Sequence, residues 1–245
     1  CPFGVTGAFG MNLSDFAAAM EATWPPQALH RAGPWAVRQG AGGGKRVSAA
    51  SPVGDWRADD IALAEQAQAG LGQDSLFVIW PWDLALDAAL AARGYAKIDP
   101  VMGYAAPVSA FAPPQRMTSF PHWPPLQIAQ EIWAEGHISS ARLAVMDRAL
   151  GPKTVILGRT ADRPCGAAFV ALQGTTAMIH AIAVRPALRR KGAGRQILAA
   201  AAQWAAEQGA DRLALAVTQA NSGAIALYTS LGMQPVGEYH YRIKV

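Results

Sequence analysis

A mixed α/β sheet covered by helices is the fold that this sequence predicts, and three observations carry that reading. The second half alternates strand-like and helix-like segments in the order strand, helix, strand, helix, strand. The first half passes through a blurred version of the same order. The composition is that of a chain with a core: 51% of the 245 residues are hydrophobic and 16% are charged. A mean hydropathy of +0.12 lies far from the profile of disorder.

The first half is read element by element. Ser14–Ala22 is a helix behind a Ser14 cap. Trp35–Gln39 and Lys45–Ala50 are rich in strand formers and are expected to pair across the glycines of 40–44. Asp60–Ala69 is helical, Leu76–Trp80 a strand, Leu84–Ala92 a helix and Lys97–Pro107 a strand. Five of the eight tryptophans stand here (Trp24, Trp35, Trp56, Trp80, Trp82), and such residues are more often core than binding surface.

In the second half, Leu126–Ala134 and Ser139–Leu150 carry apolar residues at helical spacing. Lys153–Arg159 is a short branched strand, and Ala167–Leu172 with Ala177–Val184 form a hairpin around Gln173-Gly174-Thr175. An alanine-rich helix, Gly194–Glu207, ends at Gly209. Leu213–Val217 is a strand, Ser222–Ser230 a helix stopped by Gly232, and Val236–Val245 the final strand. The two halves can be superposed at their ends: Asp83 falls on Asn221, Leu90 on Tyr228, and Gly94-Tyr95 on Gly232-Met233. A duplicated unit is therefore expected, with domains at 1–107 and 126–245 and a proline-rich linker at 108–125.

Charge and cysteine content narrow the function. The net charge is +4, from 21 cations against 17 anions, and the one dense cationic run is Arg189-Arg190-Lys191. So mild a balance favours an anionic small molecule over nucleic acid. Two cysteines, Cys1 and Cys165, are too few to staple the fold, which indicates a reducing compartment and a cytoplasmic location. Cys165 is expected to pack at the start of a strand. No run of about 18 apolar residues is present, so no membrane partner is expected. No metal-ligand spacing occurs either.

The chemistry sits in Ile182-Ala-Val-Arg-Pro-Ala-Leu-Arg189-Arg-Lys-Gly192-Ala-Gly194-Arg195, where an apolar strand enters a cationic, Gly-punctuated turn that opens a helix. The first N–H groups of a helix lack intrahelical partners and lie at its positive end. An anion lodged there satisfies them, and glycine lets it approach the backbone. A solvated Gly-rich turn explains the same residues without a ligand.

This turn resembles the acetyl-CoA motif of the GCN5-related N-acetyltransferase (GNAT) superfamily, Arg/Gln-x-x-Gly-x-Gly/Ala, which Arg189-x-x-Gly192-x-Gly194 fits without a gap. A second signature follows in the expected order: Asn221-Ser-Gly-Ala224-Ile-Ala-Leu227-Tyr228-Thr-Ser-Leu231-Gly232-Met233, with Met in place of Phe. The resemblance covers Arg116–Val245 and implies the GNAT acyltransferase fold, acetyl-CoA as co-substrate, and transfer of its acetyl group to an amine in a ternary complex. The first half is similar to the leading part of two-part bacterial members. It lacks the phosphate turn and carries Leu90 where the proton donor would stand, so a degenerate copy is expected.

The resemblance also implies roles. Main-chain groups of Ile182, Ala183 and Val184 would bond the pantetheine arm. Arg189, Arg190, Lys191, Gly192, Ala193, Gly194 and Arg195 would surround the pyrophosphate, and Asn221 would bond the cofactor arm. Tyr228 would protonate the departing thiol, or else be a core aromatic. The carboxylates that some members use as base are replaced by Met178 and Ala216. His180, in Ile179-His180-Ala181-Ile182-Ala183-Val184, resembles the Leu-His-Ala-Leu-Ala-Val strand of the serotonin-acetylating members. It is either a proton relay or a histidine bonded within the sheet. His137, His240, Tyr239 and Tyr241 are weaker candidates near the acceptor. A non-catalytic acyl-CoA sensor is the alternative reading.

Overall fold

The structure, a computed structural model, describes residues 10–244. Among them the chain forms two compact units that are not contiguous in sequence. The larger comprises 10–24, Gly103–Val217 and Asn221–Gly237; the smaller comprises Pro25–Met102, Thr218–Ala220 and 238–244. The expected boundaries 1–107, 108–125 and 126–245 thus give the order of the elements but not their grouping. Cys1 lies outside the described residues.

The larger unit begins with helix α1 (Leu13–Thr23), which packs against two of its later strands. Its cap is Asn12, whose Oδ1 accepts from Asp15 N at 2.8 Å; Ser14, the expected cap, donates its hydroxyl to that same oxygen. An Asx oxygen three residues back reaches the orphan amide better than a residue already inside the first turn. Strand β5 (Ala96–Pro107) enters the unit at Gly103. The supposed linker holds a strand, β6 (Ser119–His122), which pairs antiparallel with β7 (Lys153–Thr160). Its prolines fit because β6 is the edge of the sheet, where a missing N–H leaves no ladder bond unmade.

Helices α4 (Gln127–Glu135) and α5 (Ser140–Arg148) precede β7, β8 (Arg163–Gln173) and β9 (Thr176–Val184), which form an antiparallel meander. Helix α6 (Ala193–Glu207), strand β10 (Arg212–Thr218), helix α7 (Ser222–Ser230) and strand β11 (Gln234–Ile243) follow. Within this unit the strand order is β5-β10-β9-β8-β7-β6. Helix α6 buries an alanine-rich face against the sheet, with Ile197 and Leu198 fully buried. Gly158 of β7 and Gly166 of β8 make room for it: a Cβ at either would come within 2.9 Å of Ile197 Cδ1. Cys165, also fully buried, sits near the start of β8 as expected.

The smaller unit contains β1 (Ala28–Ala32), β2 (Trp35–Gln39), β3 (Ala50–Pro52), α2 (Ile61–Gly70), β4 (Leu76–Ile79) and α3 (Leu84–Ala92). The partner expected for β2 shifts: Lys45–Val47 is a 3₁₀ turn, and Val37 pairs with Ala50 at the start of β3. Strand β1, absent from the sequence reading because Leu-His-Arg exposes its side chains, pairs with β2 from Ala28↔Gln39 to Ala32↔Trp35. The C-terminal end of β11 closes the unit by pairing antiparallel with β4, His240 opposite Ile79. Trp35, Phe77, Ile79, Leu86 and Leu90 form its core. Trp82 departs from the expected burial: it is 55% exposed and stacks on Trp80 with ring centroids 5.4 Å apart.

The ends of α3 and α7 match bond for bond. Tyr95 N donates to Leu90 O at 3.0 Å, and Met233 N donates to Tyr228 O at 3.1 Å. Gly94 and Gly232, with φ of 81° and 82°, supply the left-handed residue that ends each helix.

Candidate active site

The site is built from the end of β9 and the two helices that follow. Strand β9 pairs with parallel β10 over three positions, ending at Ala214↔Met178. On its other side it stays paired with β8, but Phe169↔His180 and Ala167↔Ala183 enclose two residues of β9 opposite one of β8. This is a β-bulge. Ala181 within it has φ of 51°, which costs a non-glycine residue on the order of 1 kcal/mol. Trp133 of α4 anchors the bulge by donating its indole N–H to Ala181 O at 2.8 Å. Beyond the bulge, Ile182, Ala183 and Val184 are half-buried, whereas Thr176–His180 are buried. The strand therefore peels away from β10, and an opening forms beside its backbone.

Next comes the turn. Arg190 and Gly192 both have positive φ, 62° and 82°, and α6 starts at Ala193 with Gly192 as its cap residue. No side chain caps this helix. Its first amides are left to whatever binds there, at the positive end of a fifteen-residue helix. A Cβ on Gly192 would meet nothing within 4 Å, so the turn is open to the cleft. Gly194 also has a packing role: its Cβ would approach Leu227 Cδ2 to 2.9 Å, so glycine here lets α6 lie close to α7.

Opening and turn belong to one cleft of about 700 Å³. Ile182, Ala183, Val184, Arg189, Arg190, Gly192, Ala193, Gly194, Arg195, Asn221 and Tyr228, all singled out from the sequence, line it. Lys191 and His180 do not. Arg189 donates Nε to Val184 O at 3.0 Å, and Arg195 donates Nη2 to Ser230 Oγ at 3.1 Å, so both guanidinium groups are held at the rim. Asn221 caps α7, its Oδ1 accepting from Ala224 N at 3.2 Å.

Tyr228 projects from α7 and is only 6% exposed, with its ring 6.2 Å from that of Tyr104. Burial pushes its phenol up to about 12, so it stays protonated throughout the neutral range. The sequence reading missed Ile132, Glu135, Gly136 and Ile138, which form the opposite wall. Ile132 and Glu135 belong to the amphipathic pattern of α4, and Gly136 and Ile138 follow it, but nothing local there marks which residue faces a cavity. Glu135 pairs with Arg185, whose hydrogen bonds hold its carboxyl below the usual range.

His180 lies outside the cleft, 5% exposed, with Nε2 2.8 Å from Thr23 Oγ1. The weaker candidates are elsewhere. His137 is exposed with φ of 63° and does not line the cleft. His240 bonds Asp87 in the smaller unit, and Tyr239 and Tyr241 are buried there beside Arg46. Among the described residues no helix is long and apolar enough to cross a membrane.

A strand that splays from its neighbour, an uncapped helix and a buried tyrosine thus meet in one cleft. Residues 122–233 match the model of the acetyltransferase (GNAT) family. It is similar to an uncharacterized N-acetyltransferase, YobR, of Bacillus subtilis (strain 168), with 28% identity over 238 residues, 91% of this chain and 95% of that protein. Among solved structures, a GCN5-related N-acetyltransferase from Kribbella flavida superposes with a TM-score of 0.67 at 18% identity, covering 96% of both chains. A tandem GNAT protein from the clavulanic acid biosynthesis pathway superposes with a TM-score of 0.56 at 14% identity, over 79% of this chain and 71% of that one. These structural likenesses confirm the expected mixed α/β GNAT fold.

Proposed function

We propose that this protein moves the acetyl group of acetyl-CoA to an amine by direct attack within a ternary complex. The observation that carries the reading is the coincidence, in one cleft, of the β9 edge past Met178, the uncapped start of α6 and the Tyr228 hydroxyl. The donor set fits a pantetheine diphosphate. Unpaired strand amides suit the arm's own amides. The helix terminus with Arg189, Arg190 and Arg195 suits the diphosphate, with Lys191 adding charge outside the cleft wall. Asn221 would meet the arm through its amide N–H₂, since its oxygen is engaged with Ala224.

Acetyl-CoA would supply an activated acetyl thioester. The chain's residues supply the rest. Main-chain amides at the β9 edge polarise the carbonyl without any side chain. Tyr228 Oη holds the proton for the sulfur. The desolvation that raises its phenol would also disfavour a thiolate placed in the same cleft, which favours delivery of the proton to sulfur. His180, two residues before the cleft, relays the proton lost by the amine through water. The smaller unit is read as a degenerate copy. Its Gly40–Gly44 run leads to a 3₁₀ turn rather than a helix, and Leu90 is fully buried in its core.

The test is thiol release from acetyl-CoA across an amine panel of spermidine, lysine, kanamycin and an alanine-terminated peptide, alongside thermal stabilisation by CoA. Stabilisation with turnover of one amine is expected. Absence of any CoA-dependent stabilisation would sink the reading. Stabilisation with no turnover would favour an acyl-CoA sensor.

A further inference from the structure

Tyr228 lines the cleft, but its hydroxyl is held by no hydrogen bond. Among the described residues nothing bonds its Oη, and the atom is not closed off from solvent. The phenol is therefore aimed by packing. Among the described residues the aromatic ring packed against it is that of Tyr104, 6.2 Å away between centroids and tilted by 51°. Rings at this spacing prefer particular mutual orientations, so each limits how far the other turns.

Tyr104 comes from β5, outside the residues that match the acetyltransferase model, yet it belongs to the larger unit. Its own placement is firm. One residue earlier, a Cβ on Gly103 would stand 2.8 Å from Phe16 Cζ, so β5 lies close against α1 there. Successive strand residues point to opposite faces, and Tyr104 therefore leaves from the face opposite α1. The strand is also tied to its neighbour β10, because Val108 N donates to Asp211 O at 3.0 Å. Tyr104 is 9% exposed and does not line the cleft. It packs on Tyr228 without bordering the space that a cofactor would fill.

We propose that Tyr104 is a positioning residue for proton transfer, its ring holding the Tyr228 phenol so that Oη stays directed into the cleft. The inference rests on reading Tyr228 as the proton donor. In that step Oη gives its proton to sulfur as the carbon–sulfur bond breaks and leaves its electron pair there, which yields the free thiol. The phenolate regains a proton from water, which receives the one shed by the amine. Tyr104 gives up no proton and meets no reacting atom. A phenol free to turn would spend part of its time aimed elsewhere, and a misplacement of about 1 Å costs up to about a hundredfold in rate.

A double-substitution cycle of Tyr104→Leu with Tyr228→Phe tests this, read by thiol release with the fastest amine of the panel and by calorimetric titration with CoA. Tyr104→Leu is expected to lower kcat about tenfold, with KM for acetyl-CoA and affinity for CoA within about twofold of wild type. Tyr104→Phe, which keeps the ring, should hold kcat within about twofold. In the Tyr228→Phe background, Tyr104→Leu should lower kcat no further, because no hydroxyl is left to aim. Retained CoA affinity shows that a variant is folded. Tyr104→Met, whose flexible chain refills the space, takes the place of the leucine variant should that one not fold. A wild-type kcat in Tyr104→Leu beside a slow Tyr228→Phe removes Tyr104 alone. The proposal is also overturned by an equal further loss in the Tyr228→Phe background, by a fall in CoA affinity that matches the fall in kcat, or by a Tyr104→Phe as slow as the leucine variant. Should Tyr228→Phe leave kcat unchanged, the donor reading falls and this inference with it.

Discussion

Arg185 and Glu135 face each other fork to fork: Nε donates to Oε2 at 2.9 Å and Nη2 to Oε1 at 2.7 Å. The pair joins the end of α4 to the residue that follows β9, so it fixes the cleft wall that carries no motif. Arg185 also donates Nη1 to Pro164 O at 3.2 Å, which ties the same point to β8.

The worth of this clasp follows from its exposure. The two side chains are 26% and 48% exposed, and ion pairs so open to solvent contribute little. Glu135→Gln is therefore expected to raise KM for acetyl-CoA by no more than about fivefold, with kcat nearly unchanged. The difference should shrink at 0.5 M salt, where screening weakens the wild-type pair as well. Steady-state kinetics at low and high salt check this. A loss in kcat of a hundredfold would instead place Glu135 among the reacting groups.

Gly192 separates backbone from charge. Alanine there meets open space but must hold φ near 82°, which costs about 1–2 kcal/mol. Glutamate adds a negative charge at the place where the helix end and its arginines await an anion. Calorimetric titration with CoA is expected to show affinity within about tenfold of wild type for Gly192→Ala, and no measurable binding for Gly192→Glu. Equal losses in both variants would mean that the turn's shape alone matters.

The second half was legible because its determinants are local. An uncapped helix start, a strand entering it and a helix ending at glycine are all written within a few residues of Gly192 and Gly232. What was hidden depends on partners distant in sequence. β6 owes its strand state to β7, about 35 residues on, and β1 to its ladder with β2. The grouping of α1 with the larger unit is decided by its packing on β8 and β9, and that of 238–244 with the smaller by pairing with β4. No window around Thr23 shows that it will bond a histidine 157 positions later. The motif points Gly194 to the phosphates, and its closeness to Leu227 adds a packing role that only the approach of two helices reveals.

Tyr228→Phe is expected to lower kcat about a hundredfold while leaving CoA affinity within about twofold, because the hydroxyl acts on the reacting end and not on the diphosphate. The same variant tests the phenol's environment. Its folded value, about 12, lies above the unfolded value near 10, so the buried neutral form favours folding fully below pH 10. That contribution, about 3 kcal/mol, is lost as pH rises from 10 to 12, where the unfolded chain ionises first. Denaturant unfolding at pH 9 and pH 11.5 should show a smaller loss for the phenylalanine variant than for wild type. Equal losses would mean that the hydroxyl is not desolvated.

Asp87 secures the last strand of the smaller unit. Its Oδ1 accepts from Arg242 Nε at 2.7 Å and from His240 Nε2 at 2.8 Å, and all three side chains are less than a quarter exposed. Burial alone would raise its carboxyl, but the hydrogen bonds from Arg242 and His240 outweigh that and hold it below its ordinary value. A carboxylate depressed in this way stabilises the fold fully above its unfolded value near 4, and the contribution is lost as pH falls through the folded value. Asp87→Asn keeps the shape and one accepting oxygen but removes the charge, leaving Arg242 partly buried without its counter-ion. The expected cost is about 1.5–3 kcal/mol at pH 7, in the range of hydrogen bonds to charged groups. At pH 3 the difference should be smaller, because the unfolded wild type then binds the proton that the folded carboxylate resists. Urea unfolding at both pH values measures the difference. A variant as stable as wild type at pH 7 would show that strand pairing with β4 holds β11 by itself.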